Sequence, residues 1–152
     1  LHKSKEHGYN PKLIYSARKV NEEIHAYIAH EILKKINFHD IDISHAKVLL
    51  LGITFKENIS DIRNSKAIEL AKLLENAGLD LTIYDPHVKK NEKSFEMKKM
   101  SKFSVKSKYD VIILAVKHRH FLKISPIEFL KKNGFVYDLK GFFERHKRIY
   151  RF

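Results

Sequence analysis

The run KVLLLG at Lys47–Gly52 constrains the fold of this chain more than any other segment. A short, uninterrupted apolar run that ends in glycine is typical of a parallel strand buried on both faces. An amphipathic helix is predicted next, with Ser65 as its N-cap and Gly78 as its stop. Apolar and polar residues then alternate over Leu79–Tyr84, which predicts a second strand. Together these segments predict a βαβ unit.

The remaining apolar runs continue this alternation. Val111–Val116 is the most hydrophobic segment and predicts a second central strand. A helix is expected over Pro126–Lys132 and a strand over Phe135–Tyr137. This order predicts an α/β domain of roughly a hundred residues with a Rossmann-like, doubly wound parallel sheet.

A long amphipathic helix is predicted ahead of the sheet. Apolar residues recur every three or four positions from Pro11 to about Asn37, and proline is favoured in the first turn of a helix. At ~1.5 Å per residue the helix would be roughly 40 Å long, which is more than a small domain can cover. We therefore expect part of it to pack on a partner subunit or a further domain. Residues Phe38–His45 lack helical periodicity and predict a connector.

The charge of the chain leaves two classes of partner open. Thirty Lys and Arg against eighteen Asp and Glu give a formal net charge of +12, which attracts nucleic acids and phosphorylated small molecules alike. Many of the lysines lie in the tract Lys89–Lys108, where a solvated surface is favoured over a nucleic-acid-binding module. Phe95, Phe103 and Tyr109 are the aromatic residues that support the second interpretation.

Composition narrows the chemistry further. The sequence contains no cysteine, which excludes disulfides, thiolate metal sites and a cysteine nucleophile from these residues. No run of about 18 apolar residues occurs and the first residues are charged, so we expect a cytoplasmic location and no membrane partner. His118 and His120 are too few ligands to predict a zinc site.

The loop after the first strand is the first candidate site, since ligands of parallel α/β sheets bind beyond the carboxyl ends of the strands. No second glycine follows Gly52 in the turn, so the dinucleotide fingerprint is absent and we expect no NAD binding by this domain. Residues 53–64 form a loop longer than the roughly two to six residues usual there. Lys56 and Arg63 could converge on a phosphate with the amides of the next helix, or Arg63 could simply pair with Asp61.

The same loop carries a family motif. The ungapped segment GITFKENISDIRNS at Gly52–Ser65 resembles the G-x-x-F-K-x-(x)-x-x-D-x-R-x-S signature of UDP-sugar 6-dehydrogenases. Downstream, YDPH at Tyr84–His87 is similar to the family's YDP, and AVKH at Ala115–His118 with Phe121 resembles its A-V-x-H-x-x-F segment. DLKG at Asp138–Gly141 is similar to its D-x-K-G motif.

The two ends of the sequence extend the resemblance over nearly the whole chain. RIYRF at Arg148–Phe152 is similar to the ending of a bacterial branch that acts on UDP-N-acetylhexosamines or UDP-hexoses for surface polysaccharide. Glu6–Pro11 and Ala17–Asn21 resemble the helix that enters the family's central dimerisation domain. The resemblance implies that residues 1–45 end that central domain and that residues 46–152 form a C-terminal UDP-sugar-binding domain.

The resemblance also implies an activity for the parent enzyme. Family members oxidise the C6 alcohol of a UDP-sugar to a carboxylate in two steps, with NAD as the oxidant and a cysteine as the nucleophile, and they dimerise through the region of the N-terminal helix. The NAD-binding domain and the catalytic cysteine would precede Leu1. No catalytic residue and no turnover are therefore expected of this chain alone.

Five residues are candidate contacts of the UDP-sugar. By resemblance, Lys56 matches the family lysine that contacts the ligand, and Phe55 could offer its backbone beside it. Arg63 matches the arginine of the signature, and either ligand contact or a loop-fixing ion pair fits that position. Lys140 stands where other branches carry a ligand-binding arginine, and lysine cannot reproduce a bidentate guanidinium contact. His118 could face the cleft, or it could be a capping or solvent-exposed histidine.

Two charged residues have a structural interpretation instead. Asp85 ends the second strand, where a dinucleotide-binding domain would place a ribose-binding acid. Without the glycines of that motif, a structural Asp-Pro turn is the better interpretation. Arg18 lies on the long helix, where a salt bridge facing a partner is favoured over substrate contact.

Overall fold

The computed structural model describes residues 11–88 and 107–152, and the statements on structure below refer to them. The helices and strands of this part are α1 (Lys12–Phe38), β1 (Lys47–Leu51), α2 (Lys66–Asn76), β2 (Asp80–Tyr84), β3 (Tyr109–Leu114), β4 (Leu130–Asp138) and β5 (Ile149–Arg151). The strands form one sheet in the order β2-β1-β3-β4-β5, and every neighbouring pair is parallel. The predicted Rossmann-like α/β fold with a long preceding helix is confirmed.

The centre of the sheet is fully apolar, as the sequence predicts. Val48–Leu51 of β1 and Val111–Leu114 of β3 are buried on both faces of the sheet. Val48 and Leu50 belong to the core that α1 and α2 cover. On the other face, the core of the described residues is completed by aromatic side chains from turns, namely Phe121, Phe129 and Phe143. Burial on both faces explains why these two strands have no polar side chains at these positions.

The segment predicted as a helix over Pro126–Lys132 differs from the prediction. It forms a 3-10 turn over Pro126–Phe129, and β4 begins directly afterwards at Leu130. Gly134, which disfavours a helix, lies so close to β3 that an added Cβ would be 2.7 Å from the carbonyl oxygen of Asp110. Pairing with β3 therefore outweighs the local helical pattern.

The long helix α1 is buried over only part of its length. Its second half contributes Ile28, Ala29, Ile32 and Ile36 to the main core, while Leu13 in its first half is 84% exposed. Its end is fastened to the sheet by His39, which stacks on Phe135 of β4 at a ring distance of 4.9 Å. The Nε2 atom of His39 also lies 2.9 Å from the hydroxyl of Tyr150 in β5. No helix of the described residues is both long and apolar enough to cross a membrane.

Helix α2 begins and ends as predicted, with one difference at its start. Ser65 is the N-cap residue, but its hydroxyl makes no capping bond and donates instead to the carbonyl of Thr54 at 3.4 Å. Gly78 ends the helix with a φ of +93°, a conformation that glycine adopts without strain. The basic tract at Lys89–Lys108, with Phe95 and Phe103, lies outside the described residues except for its last two positions.

Candidate functional site

A cleft of about 770 Å³ opens at the carboxyl edge of the sheet, where the sequence predicts a ligand site. One wall is the polar side of α1, and the opposite wall is the loop after β1 with the first turn of α2. The turns after β3 and β4 form the floor. Its lining includes Arg18, Asn21 and His25 from α1, Thr54–Glu57 and Asn64–Ala67 from the loop and α2, and Val116, Leu139, Lys140 and Phe152.

Three of the five candidate contacts meet in this cleft. Phe55, Lys56 and Lys140 all line it, although Lys140 lies more than 80 positions away along the chain. The ammonium of Lys56 lies 5.6 Å from the centre of the Phe55 ring, which is 52% exposed. Lys66, in the first turn of α2, lines the cleft beside them. The cleft thus combines lysines with the positive end of a helix dipole.

These lysines are available to an anion. Among the described residues, no carboxylate forms an ion pair with Lys56, Lys66 or Lys140. Arg18, by contrast, bonds Glu22 of its own helix at 2.8 Å, and its expected salt bridge to a partner stays a prediction. Cationic side chains without carboxylate partners next to a helix N-terminus favour a phosphate group.

Arg63 lies outside the lining of this cleft. Its Nε and Nη2 atoms donate to the two carboxylate oxygens of Asp61 at 3.0 and 2.9 Å, and its backbone N–H donates to Asp61 at 3.0 Å. The bonds from the Arg63 side chain and backbone lower the pKa of Asp61 to about 2. This geometry fits the loop-fixing interpretation of Arg63.

His118 lies beneath the loop after β1 and has no exposed surface. Its Nε2 atom is 3.1 Å from both Asp85 Oδ2 and Thr54 Oγ1, and its Nδ1 atom accepts the backbone N–H of Asn58 at 2.8 Å. Asn58 has a φ of +61°, which asparagine tolerates better than most residues. The side chain is therefore neither solvent-exposed nor among the residues that line the cleft.

Asp85 anchors the base of the same loop, in agreement with its structural interpretation. It is buried, and it accepts the backbone N–H groups of Ile53, Thr54 and His87 at 2.7, 3.2 and 2.8 Å. Burial alone would raise the pKa of Asp85, but the bonds from His118 and from these backbone groups hold it below its ordinary value. A carboxylate with this many donors is stable inside the protein.

Asp138 anchors the turn that carries Lys140 in the same way. It is buried at the end of β4, where its side chain accepts the backbone N–H groups of Lys140 and Phe143 at 3.0 and 2.9 Å. The anchoring roles of Thr54, Asn58 and Asp138 were not predicted from the sequence. A polar residue at the end of a buried strand is the local signal that could have identified Asp138. No group of three or more potential metal ligands occurs within residues 11–88 and 107–152.

The parallel sheet and the lysine-bearing cleft at its carboxyl edge define an α/β domain of the class that commonly binds nucleotides. The sequence model of the UDP-glucose/GDP-mannose dehydrogenase family, UDP binding domain, matches residues 49–145. The chain belongs to this family and corresponds to its UDP-binding domain. This match favours the nucleotide-sugar interpretation over a nucleic-acid-binding module.

Individual relatives agree with the family assignment. Protein CapL of Staphylococcus aureus is 35% identical over 144 residues, which cover 92% of this chain and 34% of CapL. A UDP-N-acetyl-D-glucosamine 6-dehydrogenase of Salmonella typhi is 36% identical over 143 residues, which cover 91% of this chain and 34% of the relative. The chain thus spans about a third of the length of these relatives.

Solved structures share the fold. The UDP-N-acetyl-mannosamine dehydrogenase Cap5O from Staphylococcus aureus matches with a TM-score of 0.74 and 23% identity, over 95% of this chain and 34% of that one. A UDP-D-ManNAc dehydrogenase from Pyrococcus horikoshii matches with a TM-score of 0.75 and 22% identity, over 90% of this chain and 32% of that one.

Proposed function

We propose that this chain binds the UDP part of a UDP-N-acetylhexosamine as one domain of an NAD-dependent 6-dehydrogenase. The observation that carries the proposal is the position of Lys56. This lysine belongs to the stretch that matches the family's UDP-binding domain, and it lines the described cleft together with Lys140. The named substrates of similar proteins, such as UDP-N-acetyl-D-glucosamine, support the choice of sugar class.

Each cleft residue has a part in this proposal. The ammonium of Lys56 binds the diphosphate, and Lys66 with the first turn of α2 adds positive potential. The backbone N–H of Phe55 already donates to the carbonyl of Asp61 at 2.7 Å, so Phe55 contacts the ligand with its carbonyl and its exposed ring. Lys140 approaches the phosphates as a point charge, in place of the bidentate contact an arginine would make. Arg63 fixes the loop through Asp61.

The oxidation itself requires groups that these residues do not supply. In our proposal, NAD and a cysteine nucleophile belong to other domains of a longer cytoplasmic enzyme, which makes a sugar carboxylate for surface polysaccharide. The absence of cysteine and of a dinucleotide glycine motif from this sequence supports that division. The exposed apolar side chains in the first half of α1, such as Leu13 and Val20, support a homodimer formed through this helix.

Calorimetric titration of UDP and, separately, NAD tests the proposal. We expect UDP to bind, NAD not to bind, and Lys56→Ala to weaken UDP binding roughly tenfold or more, because one charge-assisted contact is lost. Lys123→Ala is the matched control, since it removes the same charge from an exposed position outside the cleft. Equal UDP affinities of Lys56→Ala and the unaltered chain would contradict the proposal.

A further inference from the structure

The ends of three neighbouring strands meet at one buried imidazole. Thr54 follows β1, Asp85 follows β2 and His118 follows β3, and the three side chains are at most 4% exposed. Thr54 Oγ1 and Asp85 Oδ2 are each 3.1 Å from Nε2 of His118. The opposite ring atom, Nδ1, accepts the N–H of Asn58 from the outer part of the loop at 2.8 Å. Water cannot replace the three buried side chains as partners of one another at such burial.

The directions of these bonds determine where the imidazole carries its proton. The backbone N–H of Asn58 can only donate, so Nδ1 must be the unprotonated nitrogen. The hydroxyl of Thr54 donates its single proton to the carbonyl of Lys56 at 2.8 Å, so its oxygen accepts from Nε2. Asp85 Oδ2 is also an acceptor. Every bond is satisfied only by a neutral imidazole with its proton on Nε2.

We propose that His118 is the positioning residue of the ligand-binding loop, and that it acts as this neutral Nε2–H tautomer. One side of the ring holds Thr54, whose hydroxyl fixes the carbonyl of Lys56, and the other side holds Asn58 two residues beyond. The backbone on both sides of Lys56 is thus linked to one side chain, which lies in the turn after β3. The expected effect on UDP affinity rests on the function proposed above, whereas the tautomer and the loop order do not.

A purely structural role for His118 makes different predictions. If His118 only fills space in the core, His118→Phe should change the stability of the whole chain and have no selective effect on hydrogen exchange in the loop. A positioning residue, in contrast, affects hydrogen exchange at the Asn58 amide and the affinity for UDP even when the chain remains folded. The two hydrogen-bonding sides can also be separated, because asparagine keeps an acceptor near the position of Nδ1 and glutamine keeps a donor near that of Nε2.

The experiment combines nitrogen NMR of the imidazoles and amide exchange, both without ligand, with calorimetric UDP titration. The variants are His118→Phe, His118→Asn and His118→Gln, and His120→Phe serves as the matched control. His120 is exposed and bonds Tyr84, so the same substitution there leaves the network intact.

We expect the Nε2–H tautomer at neutral pH. We also expect faster hydrogen exchange at the Asn58 amide in His118→Phe and His118→Gln, and slow exchange in His118→Asn. We expect His118→Phe to weaken UDP binding roughly tenfold and His120→Phe less than about twofold.

Several results would overturn this role. A doubly protonated imidazole or the Nδ1–H tautomer at neutral pH would contradict the network, and so would unchanged exchange at the Asn58 amide in a folded His118→Phe chain. An unchanged UDP affinity in that chain would contradict the positioning role. If the unaltered chain binds no UDP, the proposed function fails, and tautomer and exchange alone decide the role of His118. If His118→Phe does not fold, the asparagine and glutamine variants provide the same comparison.

Discussion

At the scale of single residues, the loop after β1 depends on polar side chains that water does not reach. Asp85 and His118 are buried beneath it, and their partners are mostly backbone N–H groups of the loop itself. A backbone donor can be satisfied only by an acceptor placed at the right position, so these side chains restrict the loop to one conformation. Lys56 is exposed on this loop, and we assign its side chain to ligand binding.

Asp85→Asn should destabilise the chain in a pH-dependent manner. The pKa of Asp85 is held below its ordinary value of 3.8, so its contribution to the free energy of unfolding is present above that pH and is lost as the pH falls through the folded-state pKa. Near neutral pH we expect a loss of about 2–3 kcal/mol, because the amide NH2 group would replace one of the two accepting oxygens and face backbone N–H donors. Urea unfolding at neutral and acidic pH measures both effects.

The control for this substitution is Asp40→Asn, at an exposed position whose φ of 51° asparagine adopts readily. The difference between the Asp85→Asn chain and the unaltered chain should shrink at acidic pH, where the unaltered chain has itself lost the carboxylate charge. A constant difference across the pH range, or equal stabilities of the two variants, would contradict this account.

At the scale of elements, the sequence predicted the strands and helices that depend on the local pattern of apolar residues. β1 and β3 were predicted because a strand buried on both faces must be apolar throughout, and α1 and α2 because their apolar residues recur with the helical period. The 3-10 turn at Pro126–Phe129 could not be predicted in this way, because it results from the pairing of β4 with β3. The burial of His118 has the same kind of cause, since its partners lie more than 30 positions away in sequence.

Gly134→Ala tests the close approach of β4 to β3. An added Cβ would lie 2.7 Å from the carbonyl oxygen of Asp110 and 2.8 Å from that of Tyr109, and backbone atoms cannot rotate away as side chains do. We expect a loss of about 1–3 kcal/mol in the free energy of unfolding, measured in urea. Asn133→Ala, at the exposed neighbouring position of the same strand, should change it by less than about 0.5 kcal/mol. Equal effects of the two substitutions would refute the proposed close contact.

At the scale of the whole molecule, the chain combines a cleft at one edge of its sheet with a helix that is only partly buried. The second half of α1 shares the core of the sheet, and its polar side forms one wall of the cleft. Sequence comparison with the family identified Phe55, Lys56 and Lys140, but only the packing of α1 and of the turn after β4 shows that they face one space. We therefore expect UDP to bind in this cleft.

The most direct test is titration of UDP into the isotopically labelled chain while the backbone amides are followed by NMR. We predict that the largest changes in amide chemical shift occur in Phe55–Glu57, in the first turn of α2 and at Lys140. NAD at the same concentration should leave the chemical shifts of these amides unchanged. Shifts concentrated instead around Phe121 and Phe129, on the other face of the sheet, would contradict the account.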